Sequence, residues 1–386
     1  MKSKNREISQ HEILKELDSI KNKDYTFSSG RILGSMCTQP HPIAKEAYIK
    51  FLDTNLGDPE LFPGSKKIES ELIAFISDLL NAPKTSTGLI GSGGTESNIT
   101  AIWLAKNLTR KKEIIVPESA HFSFEKIKSL MDIKLKIIPL NKDYIIDVNN
   151  LRKKISKDTA AIVGIAGSTE LGTIDPIADL NDICDDENIF LHIDAAFGGF
   201  VIPFLKELGY NVSDFDFNLK NISSISIDAH KMGYSAIPLG ILLIRCEKWL
   251  NEICVETPCI SSKRQAGLLA TRSGGPVAAA YAVTKYLGKN GYKDVIERCM
   301  NITKYTQETI ENLGLNLLIN PTMNVLGIKL KNPAKVVKKL ADFGWKVNKM
   351  DRLSAIRIVL MPHVTKEIIN DFIPDLKKVC IESGEI

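Results

Sequence analysis

Short apolar runs alternate with helical stretches across the middle of the chain, and this alternation limits the possible folds more than any other feature. Helical stretches at 95–110, 122–131 and 176–188 separate several of these runs. The runs lie at 113–117, 134–139, 160–165, 189–194, 223–227 and 240–244. Continuously apolar strands are typical of a sheet buried on both faces. The pattern therefore predicts an α/β fold with a mostly parallel sheet between helices.

The chain divides into three predicted parts. After about residue 276, the alternation of strands and helices gives way to long predicted helices and then to a small α+β pattern. We expect an N-terminal helical segment at 1–55, a large domain at 56–290 and a small C-terminal α+β domain at 291–386. The small domain is expected to hold strands at 324–330, 345–348 and 355–360 and helices at 333–342 and 364–380.

Near the N-terminus, apolar residues recur at helical spacing. Ile13, Leu14, Leu17 and Ile20 fall on one face of a helix. We expect this amphipathic helix to pack on the body of the protein or on a partner subunit.

Composition argues against several classes of function. The 50 basic and 46 acidic residues are interspersed and leave a net charge of +4, so neither nucleic acid nor a membrane is an expected partner. The N-terminus is too charged for a secretory signal, and no apolar run approaches the ~18 residues of a membrane span. The 7 cysteines are scattered without metal-ligand spacing. We therefore expect free thiols, no metal and a cytoplasmic protein.

A glycine-rich turn opens a helix in "GLIGSGGTESNITAIWLAKN" (88–107). Backbone N–H groups at a helix start favour an anion. The spacing matches neither the dinucleotide fingerprint nor the P-loop. A phosphate site and a tight turn without a ligand both remain open.

Polar residues also follow other predicted strands. His192 and Asp194 in "IFLHIDAAFGG" point to the same side, where Asp194 is either solvated or paired with a cation. His121 in "ESAHFSFEK" is either structural or stacks on a planar ring, and Thr169 belongs to the polar turn "AGSTELGTIDP". Because ligand sites in open parallel sheets lie at the carboxyl ends of strands, we expect these residues to meet at one pocket.

Lys231 follows an apolar strand in "SIDAHKMGY" (226–234), although lysine is usually exposed. A desolvated lysine amine forms a Schiff base with an aldehyde cofactor. Pyridoxal 5′-phosphate needs a helix start for its phosphate, a carboxylate for its pyridine nitrogen, a planar stacking partner and a lysine. The motifs supply these parts at successive strand ends, so they predict pyridoxal 5′-phosphate as the cofactor.

Two of these motifs, "HIDAAFGG" and "DAHKMGY", resemble those of the fold-type I pyridoxal-phosphate enzymes, in particular the group II amino-acid decarboxylases. More narrowly, "NLGDPELFPGS", "VPESAHFSFEK", "GIAGSTELGTIDP" and "RIVLMPH" are similar to the archaeal L-tyrosine/L-aspartate decarboxylases. The resemblance covers about residues 28–380. It implies a seven-stranded, mostly parallel sheet in the large domain, and a homodimer with active sites at the subunit interface.

By this resemblance, Lys231 bonds to the cofactor, Asp194 binds its pyridine nitrogen and His121 stacks on its ring. Further cofactor contacts are expected from Ala196, Thr169, Gly93, Gly94, Thr95 and His230. Lys231, His121 and His230 are the expected catalytic residues. The candidates for substrate contact are Arg357, Cys37 and His41, and Arg357 has an internal ion pair as its alternative role.

One departure from the family pattern concerns the group that protonates Cα of the product. Related decarboxylases use a tyrosine on a mobile loop, but no tyrosine occurs between Ser235 and Ala280. Cys259 lies about where that tyrosine is expected. His230, Lys231 and the Cys259 thiol are therefore the alternatives.

The resemblance implies an amino-acid substrate. The implied reactions convert L-tyrosine to tyramine for methanofuran biosynthesis, L-aspartate to β-alanine for coenzyme A biosynthesis, or both. No residue in the sequence distinguishes a phenol from a carboxylate. Aminotransferase, cysteine desulfurase and carbon–carbon lyase reactions remain alternatives, as does a cofactor-binding protein without catalysis.

Overall fold

The computed structural model describes residues 8–258 and 264–386, and a seven-stranded sheet is its largest element. The strands are β1 (Thr87–Gly91), β2 (Glu113–Pro117), β3 (Lys134–Ile138), β4 (Thr159–Ile165), β5 (Phe190–Asp194), β6 (Ile222–Asp228) and β7 (Gly240–Ile244). Their order is β1-β7-β6-β5-β4-β2-β3. β7 is antiparallel to β1 and β6, and the other neighbouring pairs are parallel. The predicted α/β fold is confirmed.

Helices cover both faces of this sheet. They are preceded by α1 (Gln10–Lys21) and comprise α2 (Pro42–Lys50), α3 (Pro63–Leu79), α4 (Gly94–Thr109), α5 (Ser123–Met131), α6 (Val148–Lys154), α7 (Ile177–Glu187), α8 (Ile202–Glu207) and α9 (Gly274–Asn312). Since successive strand residues point to opposite faces, Ile115 and Ile162 join one apolar core, and Ile114 and Val163 join another. The first core includes side chains of α3, α7 and α8, and the second includes those of α4 and α5. Each buried aliphatic side chain contributes about 1.5–3 kcal/mol.

The C-terminal part has its own sheet and core. Its strands are β10 (Val325–Lys329), β11 (Asn348–Met350) and β12 (Ala355–Val359), in the antiparallel order β10-β12-β11. Its helices are α10 (Pro333–Asp342) and α11 (Lys366–Ser383), and a separate pair, β8 (Val255–Glu256) and β9 (Arg264–Gln265), lies earlier in the chain. The strand expected at 345–348 is wrong, because β11 begins only at its last residue. Trp345 and Val347 are apolar because they are buried in the C-terminal core.

α9 crosses the domain boundary expected after residue 290, so the division into domains stays a prediction. Gly288 has a non-helical conformation within this helix, at φ 55° and ψ −172°. N-terminal residues of α9 pack in the core of the large sheet, and Ile310 packs in the C-terminal core. The helix therefore joins the two packed parts of the chain.

α1 forms as predicted and begins with a capping box between Ser9 and Glu12. Its apolar side chains remain exposed by 45–53% at Ile13, Leu14, Leu17 and Ile20. Within the described part of the chain, the predicted face therefore does not pack on the body. No described helix combines the length and apolar character needed to cross a membrane.

Candidate active site

A cavity of about 470 Å³ lies beyond the carboxyl ends of β4, β5 and β6. Parallel strands bring these ends to one edge of the sheet, which is where open α/β sheets bind ligands. Nine residues predicted to contact a cofactor line this cavity: Gly93, Gly94, Thr95, His121, Thr169, Asp194, Ala196, His230 and Lys231. The structure therefore brings residues from five distant sequence motifs to one place.

Asp194 ends β5 and is buried, yet its carboxylate has several hydrogen-bond donors. Oδ2 accepts a bond from Asn98 Nδ2 at 2.8 Å. Oδ1 accepts from the Ala196 N–H at 3.1 Å and from the Ser226 hydroxyl at 3.4 Å. These donors fix the position of the Asp194 carboxylate at the cavity wall.

His192, two residues before Asp194 on β5, supports this arrangement. Its Nε2 lies 2.9 Å from Asn98 Oδ1, and its Nδ1 lies 2.8 Å from Ser224 Oγ. Because the Asn98 oxygen can only accept, Nε2 carries the proton and Nδ1 accepts from Ser224. Burial lowers the pKa of His192 to about 4, so the ring is neutral. A neutral ring in a fixed tautomer holds the Asn98 amide, which in turn holds Asp194.

Lys231 follows β6, and its side chain is 20% exposed. Its Nζ lies 3.2 Å from Asp228 Oδ2. Burial lowers the pKa of Lys231, but the carboxylates of Asp228 and Asp194 outweigh burial, so that the pKa is raised overall. The amine is therefore an ammonium at neutral pH when nothing is bonded to it.

The glycine turn between β1 and α4 brings backbone close to the lysine segment. Gly93 has φ +150°, which L side chains rarely adopt, and a Cβ there would lie 3.3 Å from His230 Cε1. A Cβ on Gly94 would lie 3.1 Å from the Asp228 carboxylate. The first N–H groups of a helix have no partner within the helix. This turn therefore leaves an anion site at the start of α4, next to His230.

His121 is held at the cavity wall by the start of α5. Its Nδ1 accepts a hydrogen bond from the Ser123 N–H at 3.2 Å, and its ring centroid lies 4.0 Å from that of Phe122. Burial lowers the pKa of His121 and favours the neutral ring. A neutral planar ring is suited to stacking on a cofactor.

The three candidates for substrate contact do not line the cavity, so their substrate roles stay predictions. Arg357 is buried and donates to the carbonyl oxygens of Thr169 and Gly34, the latter at 2.7 Å. Burial lowers its pKa to about 10. Burial also raises the pKa of the Cys37 thiol, and His41 accepts from the Ile43 N–H at the start of α2. Cys259, the candidate proton donor, lies outside the described residues.

Sequence reasoning missed several residues that the structure places at the site. Asn98 and Asp228 line the cavity together with Ser92, Ser119 and Lys126. A signal existed for Asp228, which lies three residues before Lys231 in the same motif. Asn98 belongs to the glycine-turn motif, but α4 also contains the polar residues Glu96, Ser97 and Thr100, so the sequence carried no signal that singled it out.

A mostly parallel sheet with this lysine, aspartate and glycine turn at its carboxyl edge defines the fold-type I class of pyridoxal-phosphate enzymes. Residues 43–328 match the family described as the pyridoxal-dependent decarboxylase conserved domain. The chain belongs to this family, which confirms the resemblance inferred from the motifs.

Similar proteins extend over nearly the whole chain. An L-aspartate/L-glutamate decarboxylase of Pyrococcus horikoshii is 46% identical over 96% of this chain and 98% of its own length. A probable L-tyrosine/L-aspartate decarboxylase of Methanothermobacter thermautotrophicus is 44% identical over 92% of this chain and 98% of its own length.

Solved structures agree with the fold. A sphingosine-1-phosphate lyase of Burkholderia pseudomallei has a TM-score of 0.91 and 26% identity, with 99% of this chain and 92% of the other covered. A glutamate decarboxylase of Lactobacillus brevis has a TM-score of 0.90 and 22% identity, with 100% and 95% covered.

The cofactor is pyridoxal 5′-phosphate, and the donor set of the cavity fits it. The start of α4 suits a phosphate, Asp194 suits a pyridinium nitrogen, and the Lys231 amine suits an aldehyde. When bound, the cofactor supplies an aldehyde that takes up amines and a ring that accepts electrons. The protein positions the cofactor and supplies the charged groups around it.

Proposed function

We propose that this protein removes the α-carboxyl group of L-aspartate, L-tyrosine or both, giving β-alanine or tyramine. One observation carries the proposal, namely that Lys231 and Asp194 line the same cavity in a chain of the decarboxylase family. The relatives from Pyrococcus horikoshii and Methanothermobacter thermautotrophicus carry names that include L-aspartate.

In this proposal the described residues orient the substrate and hold protons. Asp194 would hold the positively charged ring nitrogen of the cofactor, and the charged ring would supply an electron sink. His121 would stack on the ring, and the start of α4 would hold the phosphate. Alignment of one substrate bond with the ring is what selects decarboxylation over other reactions.

Lys126 favours an acidic side chain in the substrate. It lines the cavity from α5, and its Nζ lies 5.1 Å from the centre of the Phe122 ring. Apart from Lys231, it is the lysine or arginine that the described residues contribute to this wall. A second carboxylate on the substrate would meet this ammonium, whereas a phenol would gain nothing from its charge. L-aspartate is therefore the proposed preferred substrate.

Amine products from a panel of L-aspartate, L-glutamate and L-tyrosine test this proposal. Lys126→Ala should raise KM for L-aspartate about fivefold and leave KM for L-tyrosine unchanged, because only the acid loses an ion pair of about 1 kcal/mol. Lys128→Ala is the matched control, since Lys128 lies on the same helix and pairs with Glu125 at 3.6 Å. A faster reaction with L-tyrosine, or an equal effect of Lys126→Ala on both substrates, would contradict the preference for aspartate.

Other reactions on the same scaffold give different products. A transaminase gives a keto acid, a cysteine desulfurase gives alanine, and a carbon–carbon lyase gives an aldehyde without CO₂. Release of CO₂ together with the amine supports decarboxylation, and any of the other product sets would contradict it.

We also propose that two copies of the chain form the working unit. Besides the apolar face of α1, the side chains of Ile49, Leu52, Leu61 and Tyr286 are 63–71% exposed. Clusters of exposed apolar side chains are typical of interaction sites. Sedimentation should give a dimer, and a fully active monomer would contradict the proposal.

We also propose that the protein is located in the cytoplasm. The cysteines in the described part of the chain are free, which is typical of a reducing compartment. Cell fractionation tests this location, and recovery outside the cytoplasm would contradict it.

A further inference from the structure

Asp228 is a buried carboxylate whose environment differs from that of Asp194. Its side chain is 2% exposed, with Oδ2 3.2 Å from Lys231 Nζ and 3.8 Å from His230 Nε2. Its other oxygen, Oδ1, is buried and has no hydrogen-bond donor among the described residues. Two glycines lie close to the Asp228 carboxylate. A Cβ on Gly94 would lie 3.1 Å from Oδ2, and a Cβ on Gly240 would lie 2.8 Å from Oδ1. Neither glycine has a side chain to donate a proton.

Lys231 is the cation in direct contact with Asp228 among the described residues. A buried carboxylate without donors is costly, and an ion pair offsets that cost only while the partner stays charged. Asp194 differs in having donors of its own, because the Asn98 amide and the Ala196 N–H donate to it. Two carboxylates in one cavity with such different surroundings are expected to take different roles.

Other titratable groups around Lys231 also influence the charge of its amine. Asp194 and Cys37 also raise the pKa of Lys231, although burial alone would lower it. His121 is near enough to interact electrostatically with Lys231, and burial keeps that imidazole neutral. His230 Nε2 lies 3.8 Å from the same Asp228 oxygen, and His230 Nδ1 lies 2.8 Å from the Leu239 carbonyl oxygen. Asp228 is the carboxylate in direct contact with the amine.

We propose that Asp228 holds Lys231 as an ammonium whenever Nζ is not bonded to the cofactor, and that this ammonium protonates Cα of the product. The inference rests on the proposed decarboxylation. The bond between Cα and the carboxylate breaks, CO₂ leaves, and the electron pair stays with the rest of the substrate. One proton then passes from Nζ to Cα, and Lys231 becomes a neutral amine. A neutral amine is the nucleophile needed to release the product.

This role gives the protein a proton donor for Cα, although no tyrosine occurs between Ser235 and Ala280. With the substrate's amine bound to the cofactor, Lys231 Nζ would be free in the cavity, in contact with Asp228, and could act as an acid toward Cα. Asp228 keeps that acid charged until it is used. A donor on a mobile loop is then not required.

Labelling of the cofactor-free protein tests the first half of the proposal without any substrate. A trace of acetic anhydride is applied between pH 6 and 11, and the acetylation of Lys231 is compared by mass spectrometry with that of an exposed lysine. Asp228→Asn keeps the shape and removes the charge. Lys231 of this variant should label about tenfold faster or more at pH 8, because the amine loses its nearest anion.

Two controls sharpen the result. Asp194→Asn removes a carboxylate without direct contact to Nζ and should give a smaller change, and Asp186→Asn, on the exposed side of α7, should give none. Equal rates in Asp228→Asn and wild type would overturn the proposal. If Asp228→Asn does not fold, the wild type alone decides, because Lys231 must then label at a higher pH than the exposed lysine, and a lower pH would overturn the proposal.

A single turnover of the loaded enzyme tests the second half. In Asp228→Asn, release of CO₂ should continue, while formation of the amine should fall about tenfold or more. An unchanged ratio of amine to CO₂ would overturn the role in protonation. Absence of CO₂ in the wild type would instead refute the proposed function, and the labelling result would stand apart from it.

Discussion

Replacing Asn98 by alanine removes the amide that joins Asp194 to His192. Asn98 donates to Asp194 Oδ2 at 2.8 Å and to Ser123 Oγ at 3.1 Å. It accepts from His192 Nε2 at 2.9 Å and from Ser226 Oγ at 3.1 Å. The hydroxyls of Ser123 and Ser226 can rotate toward other partners. The Nε2–H group of His192 and Oδ2 of Asp194 cannot.

The expected loss follows from these two groups. A buried polar group that loses its partner costs about 1–3 kcal/mol, so Asn98→Ala should lower the free energy of unfolding by about 2–6 kcal/mol. Urea unfolding of the cofactor-free protein measures this loss. The dissociation constant of pyridoxal 5′-phosphate should also rise about tenfold or more, because Asp194 is no longer held toward the ring nitrogen.

Asn107→Ala is the matched control for this prediction. Asn107 lies on the same helix and donates to the Glu252 carbonyl oxygen at 2.8 Å in an exposed position. Its removal should cost less than about 1 kcal/mol and leave cofactor binding unchanged. The reasoning would be refuted if both variants lost the same stability, or if Asn98→Ala bound the cofactor as tightly as wild type.

Two further predictions concern groups outside the cavity. Hydrogen bonds from Lys134 and Lys136 help to lower the pKa of Glu113 to about 2 from 4.5. Its stabilising contribution is present above pH 4.5 and is lost as the pH falls toward 2, so thermal melts should show that Glu113→Gln destabilises at pH 7 and has little effect near pH 2. A pH-independent effect would contradict this. Arg357→Met should lower the free energy of unfolding by about 1–3 kcal/mol, since two carbonyl oxygens lose their donor, and an unchanged urea midpoint would contradict that role.

The strands and the cofactor residues could be predicted because their signals are local. Six strands of the large sheet appear as apolar runs, and the cavity residues follow them directly at strand ends. The same reasoning misplaced β11, because Trp345 and Val347 are apolar for packing and not for strand pairing. Apolar character alone does not distinguish these two causes.

The relay behind Asp194 could not be predicted, because its partners are far apart in the sequence. Asn98 is 96 residues from Asp194 and 128 residues from Ser226. Only the folded sheet brings α4 beside the ends of β5 and β6. Arg357 illustrates the same limit, since both sequence interpretations gave it an acidic partner and the structure gives it two carbonyl oxygens.

The central claim is that Lys231 and pyridoxal 5′-phosphate together decarboxylate an amino acid. The most direct measurement uses L-aspartate labelled with ¹³C in its α-carboxyl group, and follows labelled CO₂ and β-alanine in the wild type and in Lys231→Ala. We predict equal amounts of the two products from the wild type and a loss of at least about a thousandfold in the variant. Keto acid without labelled CO₂, or a Lys231→Ala variant as active as the wild type, would contradict the claim.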